Sequence, residues 1–231
     1  MVEYYYGSYI IFGIFALLSF LVSARLKNKF IKYSKVPLNN MMSGKDVAEK
    51  MLRENGILDV QVTMTEHTLS DHYNPATKTV TLSRAVYEGR HVMAAAVAAH
   101  ECGHAIQHAA SYSMLKLRSS LVPVVNFAST WIQWVLLAGI IFIQSFPQLM
   151  IFGIILFSTT TLFSIVTLPV EINASHRAVK WLDNAGIVTP EIKPYAVDAL
   201  KWAAYTYVIA ALGSLAQLVY YIMIFLGNRR G

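Results

Sequence analysis

The sequence predicts an integral membrane protein that is mainly α-helical, with four transmembrane helices and a small α+β domain. Its composition is the first observation: 55% of the 231 residues are hydrophobic and only 14% are charged, which is unusual for a soluble globular protein. The second observation is a set of four apolar runs without Asp, Glu, Lys or Arg, each about 20 residues long and able to cross the hydrocarbon core as a helix. These runs are Tyr5 to Ala24, Leu121 to Ile143, Gln148 to Leu168 and Tyr205 to Leu226.

The first run is predicted to be a retained span rather than a signal peptide, because Glu3 stands where a signal peptide carries Lys or Arg. Five basic residues follow it between Arg25 and Lys35, and the positive-inside rule places them in the cytoplasm. Arg229 and Arg230, at the outer end of the chain, are exceptions to this rule. The predicted segments are 1–33, the first span and its basic flank; 34–118, cytoplasmic; 119–168, a transmembrane hairpin; 169–204, cytoplasmic helices; and 205–231, the fourth span and a short tail.

The net charge of +6 is interpreted as membrane topology and contact with anionic lipid, because the basic residues lie at the ends of spans. Nucleic-acid binding is therefore not expected. The single cysteine, Cys102, excludes an internal disulfide and is predicted to be a packing residue.

The segment 34–118 carries the patterns of both helices and strands. A short amphipathic helix is predicted to begin after Ser43, a good N-cap residue, and to end at Gly56. Alternating apolar and polar residues predict two strands, at 58–64 and 78–83. The alanine-rich stretch from about His91 to Ala110 predicts a longer helix that follows the second strand.

The segment 169–204 predicts a helix through about Leu182, a turn at Asn184 to Gly186, and a second helix entered near Pro190 or Pro194. These pieces are too small to form a core of their own. We expect them to pack on the segment 34–118.

Three histidines recur every fourth position in the alanine-rich helix. His100 and His104 are separated by about 6 Å along the helix axis and project from one face, so both can bind one metal ion. His108 lies about 12 Å from His100 along the axis, too far to share an ion with both. Glu101 projects about 100° around the helix, where it can act as a general base on water.

The residues 100–104 therefore form an H-E-x-x-H motif, which in zinc peptidases supplies two ligands and a base. The alternative is a chance match in an unrelated helix. The extended motif with a third histidine is absent, because Gln107 and Ala110 stand at its glycine and histidine positions.

A catalytic zinc requires a third protein ligand, and Glu171 is the best candidate. No Asp or Glu occurs between His104 and Glu171, and two spans separate them, so both lie on the same side of the membrane. The alternative makes Glu171 an acidic helix-start residue after Pro169. Three further acidic residues on the same side are weaker candidates: Asp183, Glu191 and Asp198.

Three stretches give the chain a specific resemblance: AAHECGHAIQ, the upstream DHYNPATKTVTLS, and LPVEINASHRA after two spans. In their order and residues they resemble the YugP-like bacterial membrane zinc peptidases, the neutral zinc metallopeptidases, over most of the chain. The resemblance implies that His100, His104 and Glu171 bind zinc and that Glu101 is the catalytic base, in a zincin-like cytoplasmic catalytic domain.

The chain is more distantly similar to the HtpX-like and CAAX-processing membrane metallopeptidases. Those relatives place an aspartate four residues after the ligand glutamate, where it orients a ligand histidine. Here Ser175 occupies that position, so the orienting hydrogen bond is left to Ser175, to Asn173 or to another residue. A strand before the motif helix binds extended substrate in such peptidases, and 78–83 is the matching strand; the alternative is an ordinary core strand.

The predicted function is zinc-dependent endopeptidase activity at the cytoplasmic face of a bacterial cell membrane, on protein or peptide substrates that include membrane-associated ones. His176 and Arg177 are favoured over Tyr195, His72 and Tyr73 as oxyanion-binding residues. The alternative for each is a residue that only caps, pairs or extends to the interface. The alternative function is a non-catalytic membrane scaffold or quality-control adaptor with a structural zinc. A transporter is disfavoured because the four runs lack charged residues. The oligomeric state is not predicted.

Overall fold

The computed structural model describes residues 2–68 and 70–228, which form seven helices and one small sheet. In chain order the elements are α1 (Val2–Tyr33), α2 (Gly44–Glu54), β1 (Gln61–Thr65), β2 (His72–Asn74), β3 (Thr79–Ser83), α3 (Arg84–Tyr87), α4 (Val92–Ala109), α5 (Ser113–Ile141), α6 (Pro147–Asn184) and α7 (Lys193–Asn228). The helices α1, α5, α6 and α7 are long and apolar enough to cross a membrane. The prediction of a mainly helical chain with four such helices and a small sheet is confirmed. Arg229 and Arg230 lie outside the described residues.

The chain divides into two compact units, the first of which comprises the described parts of 1–21, 116–168 and 206–231. Leu136, Ile143 and Met150 form an apolar cluster where α5 is followed by α6. Gly139 allows this packing, because a Cβ atom there would lie 2.9 Å from the Met150 Cα. A polar contact joins α6 to α7 in this unit: the hydroxyls of Thr161 and Ser214 are 2.7 Å apart, as expected for hydroxyl groups surrounded by apolar side chains.

The second unit comprises residues 22–115 and 169–205 and begins with the amphipathic helix α2. The Ser43 hydroxyl accepts a hydrogen bond from the Asp46 amide, and the Asp46 carboxylate accepts one from the Ser43 amide, which is the reciprocal arrangement of a capping box. The helix ends before Gly56, whose φ of 72° lies in the left-handed region that favours glycine. The predicted start and end of this helix are confirmed.

The sheet has the strand order β1-β3-β2, with β1 parallel and β2 antiparallel to β3. The two strands expected at 58–64 and 78–83 are present as β1 and β3. The third strand, β2, was not predicted. Val80 and Leu82 of β3 are fully buried, because the central strand packs against the helices of this unit.

The helix α4 begins one residue after His91, whose ring nitrogen Nδ1 accepts a hydrogen bond from the Ala94 amide and so caps the helix. The alanine side chains of α4 are buried on several faces, which lets neighbouring backbones approach closely. The prediction of a helix at about 91–110 is confirmed.

The helix α6 continues through Pro169 without ending there. Proline lacks an N–H and removes one internal hydrogen bond, but the flanking turns keep the helix intact. Glu171 consequently lies inside a helix, so its interpretation as a helix-start residue is wrong. The turn predicted at Asn184 to Gly186 follows α6, with Gly186 at a φ of 64°.

The core of the second unit includes buried residues from 34–118 and from 169–204, as expected. The segment 34–118 contributes Val47, Met51, Val80, Leu82, Val86 and Ala99, and the segment 169–204 contributes Ala178, Leu182, Ile187, Val188, Ala196 and Leu200. The start of α7 is also held to the end of α1, where Asp198 accepts hydrogen bonds from the Tyr33 hydroxyl at 2.5 Å and Lys29 at 2.7 Å.

Candidate metal centre

Two histidines of α4 and one glutamate of α6 converge inside the second unit. His100 and His104 lie one turn apart, and their rings meet edge to face with centroids 4.8 Å apart. Glu171 comes from a different helix and is only 3% exposed. Its Oε2 atom lies 3.2 Å from His100 Nε2 and 3.5 Å from His104 Nε2.

These distances fit a tetrahedral metal ion. Two ligand atoms at about 2.0–2.1 Å from such an ion are about 3.3–3.4 Å apart, and the carboxylate oxygen is at nearly this distance from each imidazole nitrogen. One ligand atom from each of the three residues lies within 4.8 Å of the others. Two imidazoles and a carboxylate are also a donor set that zinc accepts, so the residues present fit the ion.

The electrostatics of the group reflect close packing of opposite charges in a buried place. Burial opposes ionisation of Glu171, but hydrogen bonds from His100 and His104 outweigh burial and hold the pKa of its carboxyl far below the usual range. Burial would likewise lower the pKa of His104, yet the Glu171 hydrogen bond and the charges of Glu101 and Glu171 raise it. The carboxylate of Glu171 is therefore ionised and ready to bind a cation at neutral pH.

Gly103 allows α4 and α6 to come close enough for this convergence. A Cβ atom at Gly103 would lie 2.7 Å from the Ala174 carbonyl oxygen and 3.1 Å from its Cα. Both are backbone atoms, so they cannot move aside as the end of a side chain could. Since Ala174 is three residues after Glu171, the glycine determines how near the carboxylate comes to the two histidines.

Each histidine has a hydrogen-bond partner on its second ring nitrogen. The Ser175 hydroxyl lies 3.1 Å from His100 Nδ1, and Gln107 Oε1 lies 3.0 Å from His104 Nδ1. Ser175 is one of the two residues predicted to orient a ligand histidine. Gln107 was not predicted; the signal in the sequence that could have identified it is a polar amide three residues after a ligand, on a helix that otherwise buries alanines.

Glu101 is almost buried, at 9% exposed. Within the part of the chain that the structure describes, its carboxylate has no hydrogen bond or ion pair. It is nevertheless close enough for its charge to raise the pKa of His104. A carboxylate that is close to a candidate ligand but outside the ligand group is in a suitable position to accept a proton.

The remaining acidic candidates are occupied elsewhere or exposed. Asp183 pairs with Lys193 at 2.6 Å, and Asp198 pairs with Lys29 at 2.7 Å. Glu191 is exposed in the connection before α7. Among the described residues, Glu171 is the acidic side chain that joins the two histidines.

Several other residues named from the sequence lie apart from the histidine and glutamate group. His108 is exposed, and its Nδ1 is 2.8 Å from the Tyr73 hydroxyl. Cys102 is buried and donates a hydrogen bond to the Ala48 carbonyl at 3.6 Å; burial raises the pKa of its thiol, which agrees with a packing role. His176 is exposed, while Arg177 Nε donates to Asn173 Oδ1 at 2.7 Å.

The strand β3, which the resemblance matches to a substrate-binding strand, is the central strand of the sheet and not an edge strand. It pairs with β1 over its whole length and with β2 from Thr79 to Thr81. Its backbone groups are thus engaged on both sides over those three residues, and its alternative interpretation as a core strand is correct.

Comparison with known proteins agrees with this geometry. Residues 8–226 match the family model described as "Putative neutral zinc metallopeptidase". The chain is 43% identical over 212 residues to the "Putative membrane protease YugP" of Bacillus subtilis strain 168, covering 92% of this chain and 93% of that protein. No solved structure matches. With nearly its whole length matched, this chain belongs to the neutral zinc metallopeptidase family.

Proposed function

We propose that this protein is a membrane-embedded, zinc-dependent endopeptidase that hydrolyses peptide bonds at the cytoplasmic face of the cell membrane. The observation that carries the proposal is the convergence of His100 and His104 of α4 with Glu171 of α6. Glu101 lies on α4 beside the two histidines. The family and the similarity to a membrane protease support the same class of activity.

The number of protein ligands favours a catalytic site over a structural one. Structural zinc sites are closed by four protein ligands, whereas catalytic sites use three and keep one position open. Among the described residues the group contains three candidate ligands. A zinc ion held by them would supply a Lewis acid that polarises the scissile carbonyl and makes water a stronger acid.

Glu101 is proposed to be the general base. Its carboxylate takes the proton from the attacking water and then delivers it to the nitrogen of the leaving amine. The almost buried position of Glu101, with no other partner among the described residues, leaves it available for both transfers. A scaffold with structural zinc would not require this residue.

The membrane face and the substrate are proposed from the sequence. The basic residues that follow the first span support a cytoplasmic location for the segments 34–118 and 169–204. Because Glu171 follows the third apolar run by only three residues, we expect the site to act close to the membrane. Protein or peptide substrates, including membrane-associated ones, are consistent with this place. An oxyanion-binding role for His176 or Arg177 stays a prediction.

The experiment compares Glu101→Gln with wild type for zinc content and for cleavage of an unstructured protein, β-casein, in detergent micelles. The variant is expected to keep zinc and to lose about 10²–10⁴-fold in cleavage rate, the usual contribution of a general base. Glu88→Gln is the matched control, since Glu88 is an exposed glutamate paired only at the surface; it should retain both properties. Cleavage by Glu101→Gln at the wild-type rate would contradict the assignment.

A further inference from the structure

The side chain of Gln107 is fully buried, and both N–H groups of its amide donate hydrogen bonds. Its Nε2 atom donates to the Val170 carbonyl at 2.8 Å and to Asn173 Oδ1 at 3.0 Å. Its Oε1 atom lies 3.0 Å from His104 Nδ1. One amide on α4 therefore binds α6 on both sides of Glu171 and also contacts a candidate metal ligand.

The direction of these hydrogen bonds is determined by groups that can only donate or only accept. The guanidinium of Arg177 is always a donor, and its Nε lies 2.7 Å from Asn173 Oδ1. That oxygen must accept, so the amide group that meets it from Gln107 must be the NH₂. The Val170 carbonyl, which can only accept, requires the same orientation independently.

With its NH₂ directed at α6, Gln107 presents its oxygen to His104. Since an amide oxygen can only accept, the Nδ1 atom of His104 must carry a proton. When the imidazole is neutral, as metal binding requires, its lone pair is therefore on Nε2, the atom that faces Glu171. This is the tautomer that binds a metal through Nε2.

His100 lacks such a constraint. Its Nδ1 is 3.1 Å from the Ser175 hydroxyl, and a hydroxyl can either donate or accept. Ser175 can orient the ring of His100 but cannot by itself select its tautomer. The two histidines are thus held by different means: His104 Nδ1 meets an oxygen that can only accept, whereas His100 Nδ1 meets a hydroxyl that can do either.

We infer that Arg177, Asn173 and Gln107 form a chain of positioning residues that selects the metal-binding tautomer of His104 and holds α4 in register with Glu171. The inference rests on the proposed zinc site and adds residues that determine its affinity. It also gives Arg177 a role through its contact with Asn173, because three hydrogen bonds in series connect Arg177 to His104. The chain crosses between the helices that supply the ligands, so it couples their positions.

The test measures zinc affinity of the full-length protein in detergent by competition with a chromophoric chelator. It also records the visible absorption of the Co²⁺-substituted protein, which reports the geometry of the ligands. Gln107→Met keeps the length of the side chain but removes its polar atoms, and should weaken zinc binding by about 10–100-fold, as is usual for residues that orient a ligand. Asn173→Leu should also weaken it, whereas Asn173→Asp, which retains an acceptor, should bind zinc nearly as wild type does.

Arg177→Met should weaken zinc binding by a smaller factor than Gln107→Met, because the Val170 carbonyl still orients Gln107. Two controls remove similar groups from exposed places: Lys180→Met for the arginine and Gln61→Met for the glutamine. Both should bind zinc with wild-type affinity. The melting temperature of each metal-free variant reports a general loss of stability. The cobalt spectrum reports a change in the geometry of the ligands.

Wild-type zinc affinity and a wild-type cobalt spectrum in both Asn173→Leu and Arg177→Met would overturn the inference. Equal weakening by Asn173→Leu and Asn173→Asp would overturn it as well, because the acceptor would then be irrelevant. If Gln107→Met fails to fold, the two Asn173 variants and Arg177→Met decide. A wild-type protein without measurable zinc affinity would instead contradict the proposed function itself.

Discussion

The substitution Gly103→Ala should separate the two helices that supply the ligands. The new Cβ would lie 2.7 Å from the Ala174 carbonyl oxygen, about 0.7 Å closer than the 3.4 Å of ordinary contact. The three nearest atoms are all backbone atoms of Ala174 in α6, so the backbone of one of the two helices must move. Overpacking of this kind costs about 1–3 kcal/mol, and the better helix propensity of alanine offsets about 1 kcal/mol. We expect a net loss of stability of at most about 2 kcal/mol.

The effect on zinc should exceed the effect on stability. Metal–ligand distances tolerate changes of only about 0.2 Å. The backbone displaced by the new Cβ atom, at Ala174, is only three residues from Glu171, so the position of the carboxylate should change as well. Thermal unfolding in detergent and zinc competition measure the two effects. Gly13→Ala is the matched control, because Gly13 lies in α1 and a Cβ atom there would meet no atom within 4 Å; it should leave zinc affinity unchanged. Wild-type zinc affinity in Gly103→Ala would refute the proposed close approach.

Three further predictions concern pH, capping and metal removal. Burial lowers the pKa of His91, and its neutral Nδ1 caps α4, so its contribution to stability is present above the unfolded pKa of about 6.5 and is lost as pH falls through the lower folded pKa. His91→Asn keeps an acceptor that does not titrate, and its melting temperature should fall less than that of wild type between pH 8 and pH 5; an identical pH profile would exclude this cap as a source of the dependence. Ser43→Ala removes the cap of α2 and should cost about 1 kcal/mol, visible as a lower melting temperature and faster amide exchange in α2, whereas unchanged exchange would show that the capping box contributes nothing. Zinc at one hundred times its Kd should stabilise the chelator-treated protein by about 2.7 kcal/mol and so raise its melting temperature. An unchanged melting temperature at saturating zinc would contradict binding to the native state.

The grouping of His100, His104 and Glu171 was largely predictable, because the signal for the two histidines is local. The spacing of His100 and His104 follows from the helix repeat, and the alanine-rich surroundings identify the helix. Glu171 is distant in sequence, yet the absence of any earlier acidic residue after His104 and the even number of intervening spans limited the choice. Topology thus supplied what local spacing could not.

Other features depend on contacts that the local sequence does not encode. The strand β2 has three residues and ends just before Pro75, so its pattern is too short to recognise. The central position of β3 results from pairing with β1, which is parallel and distant along the chain. The passage of α6 through Pro169 likewise contradicts the usual rule that proline ends a helix.

Gln107 shows why residues that support a site are harder to predict than the ligands. In the sequence it stands where the glycine of an extended motif would be, as a polar residue in an alanine-rich helix. Its role depends on Val170 and Asn173, which are more than sixty residues away. Such a side chain becomes interpretable only when the packing of α4 on α6 is known.

The central claim is that His100, His104 and Glu171 bind one zinc ion, and the most direct measurement is the zinc stoichiometry and affinity of purified wild type beside Glu171→Ala. Glu191→Ala serves as the control, since Glu191 is an exposed glutamate outside the group. The proposed site predicts one zinc ion per chain in wild type and in the control, and a strong loss of affinity in Glu171→Ala. Unchanged stoichiometry and affinity in Glu171→Ala would contradict the claim, because the third ligand would then be a different residue.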